Sequence, residues 1–305
     1  MAAPRLHGAA RMPRPDRTRP AALAVLALAA ACAPPPLDAP PGPPAALVRV
    51  VSWNVHDLFD DLDRTEPPGA LDTVATAGEV DARLARVAAV LGRLDGDLVL
   101  LQEVETAALA EALAARAGYA QARLVEGNDP RGIDVAVLSR LPLRAYVSHR
   151  DERDAAGRPL FPRDCVEAHA ALPGGRTLAL VGSHLSSALS DDGTRRAAQA
   201  ARMREIADRL LRDGARVVAG GDLNDEAGSF ALGPLFGDGA WVDPAAALPP
   251  DAAWTWSGGG DRAALDHLAV PRADAASVVQ AAVAGGTDVE AASDHRPVVL
   301  DLWLR

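Results

Sequence analysis

The chain has 305 residues, 49% hydrophobic and 24% charged, with a formal net charge of −10: the profile of a core-forming globular protein, not of a disordered chain or a basic nucleic-acid-binding module. All 31 basic residues are arginine, which removes lysine Schiff-base chemistry and the phosphate-loop lysine. The acidic balance argues against passive attachment to duplex phosphate through clustered cations, and leaves open an enzyme that reaches phosphate through a bound cation.

The N-terminus reads as an export signal. Arg5, Arg11, Arg14, Arg17 and Arg19 precede the apolar run Ala21–Ala31, which is too short to span a bilayer comfortably. Leu28-Ala29-Ala30-Ala31-Cys32 resembles a bacterial lipobox, so residues 1–31 are expected to be removed and Cys32 to carry a lipid anchor, with plain secretion as the alternative. The only other cysteine is Cys165, so lipidation of Cys32 leaves no intrachain disulfide. Residues 32–46 form a proline-rich linker expected to act as a polyproline II spacer, and one catalytic domain is expected over 47–305.

Within that domain, strand-like runs fall near 47–55, 97–103, 133–139, 164–172, 176–184, 215–222, 264–270, 277–284 and 296–304. Helical spacing is carried by Val80, Leu84, Val87, Leu91 and Leu94, then by Ala107–Leu113, then by the arginine-studded Arg195–Leu211. Many strands with few helices between them predict an α/β fold of two packed mixed sheets flanked by helices.

The strands end on polar residues. "VRVVSWN" ends in Asn54, "DLVLLQE" in Glu103, "LALVGSH" in His184, and "VVAGGDLN" in Asp222 and Asn224. "ALDHLAV" carries Asp266 and His267 inside an apolar run, and "SDHRPV" places Asp294 and His295 before the last strand. Singly, each has a plain structural reading: a turn cap, an Asx turn, a helix-starting acid, a satisfied core histidine. Together, carboxylates converging from apolar strands call for a cation, and an oxygen-rich set without a cysteine cluster favours a hard one such as Mg²⁺ or Ca²⁺. In an extended chain Asp222 and Asn224 share one face. Gly220 and Gly221 are expected to let backbone and substrate come close.

In order, "SWNVHDLFD", "LLQEV", "RGIDVAVLSR", "GSHLSS", "GDLND", "ALDHLAV" and "SDHRPV" resemble the endonuclease/exonuclease/phosphatase superfamily, the fold of pancreatic deoxyribonuclease, and most of all its bacterial, often exported branch. The resemblance implies a four-layered α/β sandwich that hydrolyses phosphate esters with Mg²⁺, or with Mn²⁺ or Ca²⁺. It implies that Glu103 is the main metal ligand with Asp294 completing the site, that Asn54 holds metal or phosphate, that Asp222 orients or deprotonates the attacking water, and that Asn224 grips the phosphate. His295 would stabilise or protonate the phosphoryl oxygens, Asp266 would fix its tautomer, and His184 would add a phosphate contact. Arg131, a candidate substrate contact, Asp134 and Trp256 are candidates for the cleft wall, with a surface arginine, a turn carboxylate and a core aromatic as the plain readings. Where relatives carry an acid or amide two residues after the asparagine, this chain has His56, and Asp57 in an extended chain would point away, which leaves a second metal site unsupported.

The leading expectation is an exported, monomeric, metal-dependent phosphodiesterase, foremost a nuclease acting on DNA or RNA and touching the membrane only through its lipid. A phosphoinositide or sugar phosphatase and a sphingomyelinase-like lipid hydrolase are the alternatives within the resemblance. "GDLND" also fits the Gly-Asp-x-x-Asp/Asn element of calcineurin-like metallophosphoesterases, but their Gly-Asn-His-Asp/Glu element is missing from the sequence. A surface-anchored binding protein on a degenerate nuclease fold is the non-enzyme alternative, motivated by His56.

Overall fold

The computed structural model describes residues 46–64, 74–188 and 192–304; the expectations for the signal, Cys32 and the proline-rich spacer fall on 1–45, outside the described residues. In chain order the strands are β1 (Ala46–Leu58), β2 (Leu98–Val104), β3 (Gln121–Leu124), β4 (Asp134–Ser139), β5 (Leu143–Ser148), β6 (Cys165–Ala171) and β7 (Thr177–His184). They continue with β8 (Arg216–Asp222), β9 (Trp241–Val242), β10 (Trp256–Gly258), β11 (Asp261–Ala263), β12 (Asp266–Pro271), β13 (Val278–Val283) and β14 (Val298–Leu304). The long helices are α1 (Ala77–Leu94), α2 (Ala107–Ala117) and α3 (Thr194–Arg212).

Two six-stranded mixed sheets form, in the orders β13-β14-β1-β2-β4-β3 and β5-β6-β7-β8-β12-β9, with β10-β11 as a separate hairpin. The first sheet is built from both ends of the chain, the second from its middle. Period-two alternation sorts each strand's side chains between two apolar layers. Val48 and Val50 of β1 and Leu98 and Leu100 of β2 pack between the sheets, while Val51, Trp53, Val99 and Leu101 face α1 and α2. Across the sandwich, Val218 points inward and Val217 and Ala219 pack under Met203, Ile206 and Leu210 of α3. The result is the expected four-layered sandwich.

Local chemistry agrees. A capping box between Thr76 and Glu79 starts α1, and Asp95 closes it in the left-handed conformation. Each of the nine expected strands has its counterpart. The strands β3, β5 and β9 and the hairpin had no expectation: β3, β9, β10 and β11 are only two to four residues long, and the six-residue edge strand β5 is half exposed along its length.

The two glycines of β8 let backbone come close, as expected. A Cβ on Gly220 would lie 1.9 Å from the carbonyl oxygen of His267 in β12, and one on Gly221 1.9 Å from that of Ser183 in β7. They admit the two neighbouring strands.

Candidate active site

β1 and β2 run parallel and so do β7 and β8, and both pairs end at the same edge of the sandwich. That brings Asn54, Glu103, His184 and Asp222 together, in the position where α/β sheets bind ligands, beyond the carboxyl ends of parallel strands. Asn54 joins the two sheets: its Nδ2 donates to Glu103 Oε1 at 3.0 Å and to Asp222 Oδ2 at 2.8 Å. β12 starts at Asp266, and the turn before β14 supplies Asp294 and His295.

The backbone is bent here. Of the six described non-glycine residues with positive φ, His56 (57°), Asp57 (44°), Glu103 (64°) and Asn224 (54°) belong to this site. Bulges interrupt the β1–β2 ladder after Asn54 and the β2–β4 ladder after Gln102, and bulges re-aim side chains. Two expectations that assumed extended chain are corrected by them. Asp57 does not point away: its amide donates to Glu103 Oε2 at 2.7 Å and its carboxylate meets Arg131 at 3.1 Å. Asp222 and Asn224 do not share a strand face, because β8 stops at Asp222. They meet through a turn in which the Asn224 amide donates to Asp222 Oδ1 at 3.0 Å and Asn224 Nδ2 donates to the Leu185 carbonyl at 3.0 Å.

His295 sits between two acids, with Nδ1 2.7 Å from Asp266 Oδ2 and Nε2 3.9 Å from Asp222 Oδ2. Burial alone would lower its pKa; the charges of Asp266 and Asp222 outweigh it and carry the pKa to about 10. Asp222 is pushed up to about 7, first by burial and then by the Asp266 charge. His184 Nε2 lies 3.3 Å from Asp222 Oδ2, and burial drives this imidazole well below its usual pKa, so it is neutral. Asp57 rises to about 6 through burial and the Glu103 charge beside it. For Glu103, burial is outweighed by donors from Asn54 and Asp57, which hold it below the usual range.

Asp294 stands one step out. Its carboxylate contacts His56 Nδ1 at 2.5 Å and accepts from Trp256 Nε1 at 3.1 Å, which places the Trp256 indole beside Asp294. Ligand atoms within 4.8 Å of one another occur in two groups among the described residues, Glu103–His184–Asp222 and Asp222–Asp266–His295, and Asp294 is in neither. Arg131 and Asp134 line a neighbouring cavity of about 200 Å³; Asp134 accepts from the Gly127 amide, and burial raises it to about 8. His267 is a structural residue, bound to Asp243 at 2.7 Å and to the Asp225 carbonyl at 2.9 Å.

The donor set fits a divalent cation. Asp57, Glu103, Asp222, Asp266 and Asp294 crowd one edge of the sandwich, and burial with mutual repulsion already forces Asp57 and Asp222 toward neutrality. Oxygen ligands of this kind suit a hard ion.

Several positioning residues gave no sequence signal. Thr255 Oγ1 accepts the amides of Leu265 and Asp266 at 2.9 and 3.0 Å, and Ser293 Oγ donates to the Asn54 carbonyl at 2.8 Å. Arg83 donates to the carbonyls of Val55 at 2.8 Å and Ala292 at 3.1 Å, and to that of His56. These are ordinary polar residues until the fold places them.

Known proteins with solved structures share this architecture. Danio rerio TDP2, crystallised with a single-strand DNA product, is 19% identical with a TM-score of 0.60 over 84% of this chain and 98% of that one. An endonuclease/exonuclease/phosphatase family protein from Bacteroides thetaiotaomicron is 16% identical with a TM-score of 0.63, covering 87% and 97%. The human Nocturnin catalytic domain with bound sulfate anion is 17% identical with a TM-score of 0.61, covering 85% and 95%. A search of curated proteins gives no significant match. The model of the endonuclease/exonuclease/phosphatase family matches residues 51–295, from within β1 to His295, and with its buried acid and histidine cluster the chain belongs to that family of phosphoesterases.

Proposed function

We propose that the chain is an exported phosphodiesterase that cleaves nucleic acid by in-line attack of water with Mg²⁺ as cofactor, and that it is held at the cell envelope through Cys32. The observation that carries the catalytic part is the position of Asp222, buried between Asn54, His184 and His295 at the end of β8. A carboxylate whose pKa lies near neutrality suits a general base. The single-strand DNA product bound to the TDP2 relative supports nucleic acid as the substrate class.

Asp222 takes the proton of the attacking water, and Asn54 holds that carboxylate against Glu103. His184, neutral and with Nε2 directed at Asp222, orients the base, which is a different task from the phosphate contact implied by resemblance. Asn224 stands beside Asp222 to grip the phosphate. His295, kept cationic by Asp266, donates to the phosphoryl oxygens where charge develops. Glu103, Asp294 and Asn54 would hold Mg²⁺, which when bound neutralises phosphoryl charge as a Lewis acid.

The test is hydrolysis of DNA, RNA, sphingomyelin and inositol phosphates with Mg²⁺, Mn²⁺ or Ca²⁺. Nucleic-acid cleavage is expected to vanish with chelator, to return with Mg²⁺, and to lose on the order of a hundredfold in kcat with little change in KM in His295→Ala and in Asp222→Asn. Cleavage indifferent to chelator would exclude the mechanism. Cleavage confined to a lipid or an inositol phosphate would transfer the site to one of those substrates, and no turnover on any of them would favour the binding-protein reading.

A further inference from the structure

Asp134 carries a hydrogen-bonding atom with nothing to bond. The residue is 2% exposed at the start of β4, and its Oδ2 accepts from the Gly127 amide at 2.8 Å, while Oδ1 has no partner among the described residues. A buried polar atom left unmatched is costly, so its persistence calls for an explanation. The space over this oxygen is kept open by the chain itself: a Cβ on Gly127 would lie 2.3 Å from Oδ1 and 2.6 Å from the Pro162 carbonyl oxygen, a place only glycine leaves free.

Asp134 and Gly127 both line the cavity of about 200 Å³ beside the centre, smaller than the roughly 300–1,000 Å³ of sites for drug-sized molecules and suited to a single ring system. Arg131 lies in its wall and reaches Asp57, whose amide is on Glu103, and Glu105 of the same wall continues the chain from Glu103. A group held there is therefore a neighbour of the phosphate being cleaved.

Charge decides what that group is. Glu105 is matched by Arg64 at 2.9 Å, and Asp129 by Arg163 at 2.8 Å and Arg131 at 3.7 Å, so both arginines of the wall are engaged. Glu126 stands exposed in the wall with no ion pair among the described residues, a carboxylate that repels a further phosphate and leaves an uncharged ring unhindered. Burial, reinforced by the charges of Asp164, Asp129 and Glu126, raises Asp134 to about 8, so at pH 7 it keeps its proton and its open oxygen can offer an O–H. One donor and one acceptor thus share the cavity.

Resting on the reading that the substrate is nucleic acid, we propose that this cavity seats one base of the strand beside the scissile phosphate and reads it through Asp134 Oδ1 and the Glu126 carboxylate, taking adenine or cytosine in preference to guanine, thymine or uracil. On their pairing edges adenine and cytosine set an unprotonated ring nitrogen beside an amino group, which matches a donor beside an acceptor; guanine, thymine and uracil carry N–H at that ring position. An unpaired strand is the form that can offer such an edge.

The experiment is cleavage by the full chain, at pH 7 with Mg²⁺, of single-stranded DNA and RNA of randomised sequence, with the bases flanking each cut counted by sequencing. Counting ratios within one reaction cancels any general loss of activity in a variant. The wild-type chain is expected to enrich adenine and cytosine on one side of the cut by roughly tenfold, the scale of one hydrogen bond to a charged group. Asp134→Asn, whose amide N–H can replace the O–H, should keep the bias. Asp134→Leu, of similar shape without a hydrogen bond, and Glu126→Ala should each bring it toward evenness. If Asp134→Leu does not fold, Glu126→Ala, at an exposed position, decides alone.

Cuts without base bias, a bias toward guanine, thymine or uracil, or a bias that survives Glu126→Ala would overturn the proposal and leave the nuclease standing. Intact DNA and RNA in a preparation that hydrolyses sphingomyelin or an inositol phosphate would remove the nucleic-acid substrate itself, and this inference with it.

Discussion

At the scale of single residues, the site is a contest between burial and charge, and His295 shows which wins. An imidazole in a dry pocket should lose its proton, yet two carboxylates hold it on, so the folded-state pKa rises from 6.5 to about 10. A group whose pKa is higher in the folded than in the unfolded chain stabilises fully below the unfolded value, and that contribution is lost as the pH climbs through the folded one. The window is therefore pH 6.5 to about 10. Asp222, raised from 3.8 to about 7 by burial, loses its own contribution in the window below. In chelating buffer, thermal melts should show stability falling across the upper window in the wild-type chain, by more than about 1 kcal/mol, and much less in His295→Gln. Equal slopes for the two chains would mean that the ring is neutral in the folded state, and the proton donor would then have to be sought elsewhere.

At the scale of elements, glycine separates what packing demands from what propensity tolerates. Gly92 lies in α1 with nothing within 4 Å of where a methyl group would stand, whereas Gly220 would drive the same methyl into the backbone of β12. Gly92→Ala should stabilise the protein by about 0.5–1 kcal/mol, because alanine gives up less conformational freedom in a helix. Gly220→Ala should destabilise it by at least about 1–3 kcal/mol, the cost of overpacking where no rotamer offers escape. Denaturant midpoints of the two variants check both signs, and a neutral Gly220→Ala would refute the strand-clearance role. The same contrast explains what was legible in the sequence. Nine strands and three helices announce themselves because their apolar residues recur in runs or at helical spacing, and Asn54, Glu103, His184, Asp222, Asp266 and His295 stand out as polar residues punctuating those runs. The inward turn of Asp57, the grip of Arg83 and the seat of Asp266 on Thr255 were illegible, since they depend on two bulges and on contacts between segments far apart in the chain.

At the scale of the whole molecule, the folded body begins close to the spacer: Ala46 already pairs with Leu304. Lipidation at Cys32 would therefore tether the enzyme without entering its fold. Cys32→Ser should move the protein from the membrane fraction to the soluble fraction while turnover stays within about twofold, since substitutions remote from a site leave its free energies nearly untouched. Unchanged fractionation would refute the anchor. The same closure of the first strand on the last has a temporal side. Arg49 waits for Asp301, its buried partner 252 residues downstream at 2.7 Å, and the stretch of β1 carrying Asn54 waits for Ser293. A chain emerging from the ribosome can lay down the second sheet from its middle segment, but the first sheet stays open along β1 until the final strand arrives. Contacts of such long range are the slow ones to form. Hydrolytic power therefore waits for β14, and a chain cut short upstream of it is expected to be an inert fragment in place of a phosphoesterase.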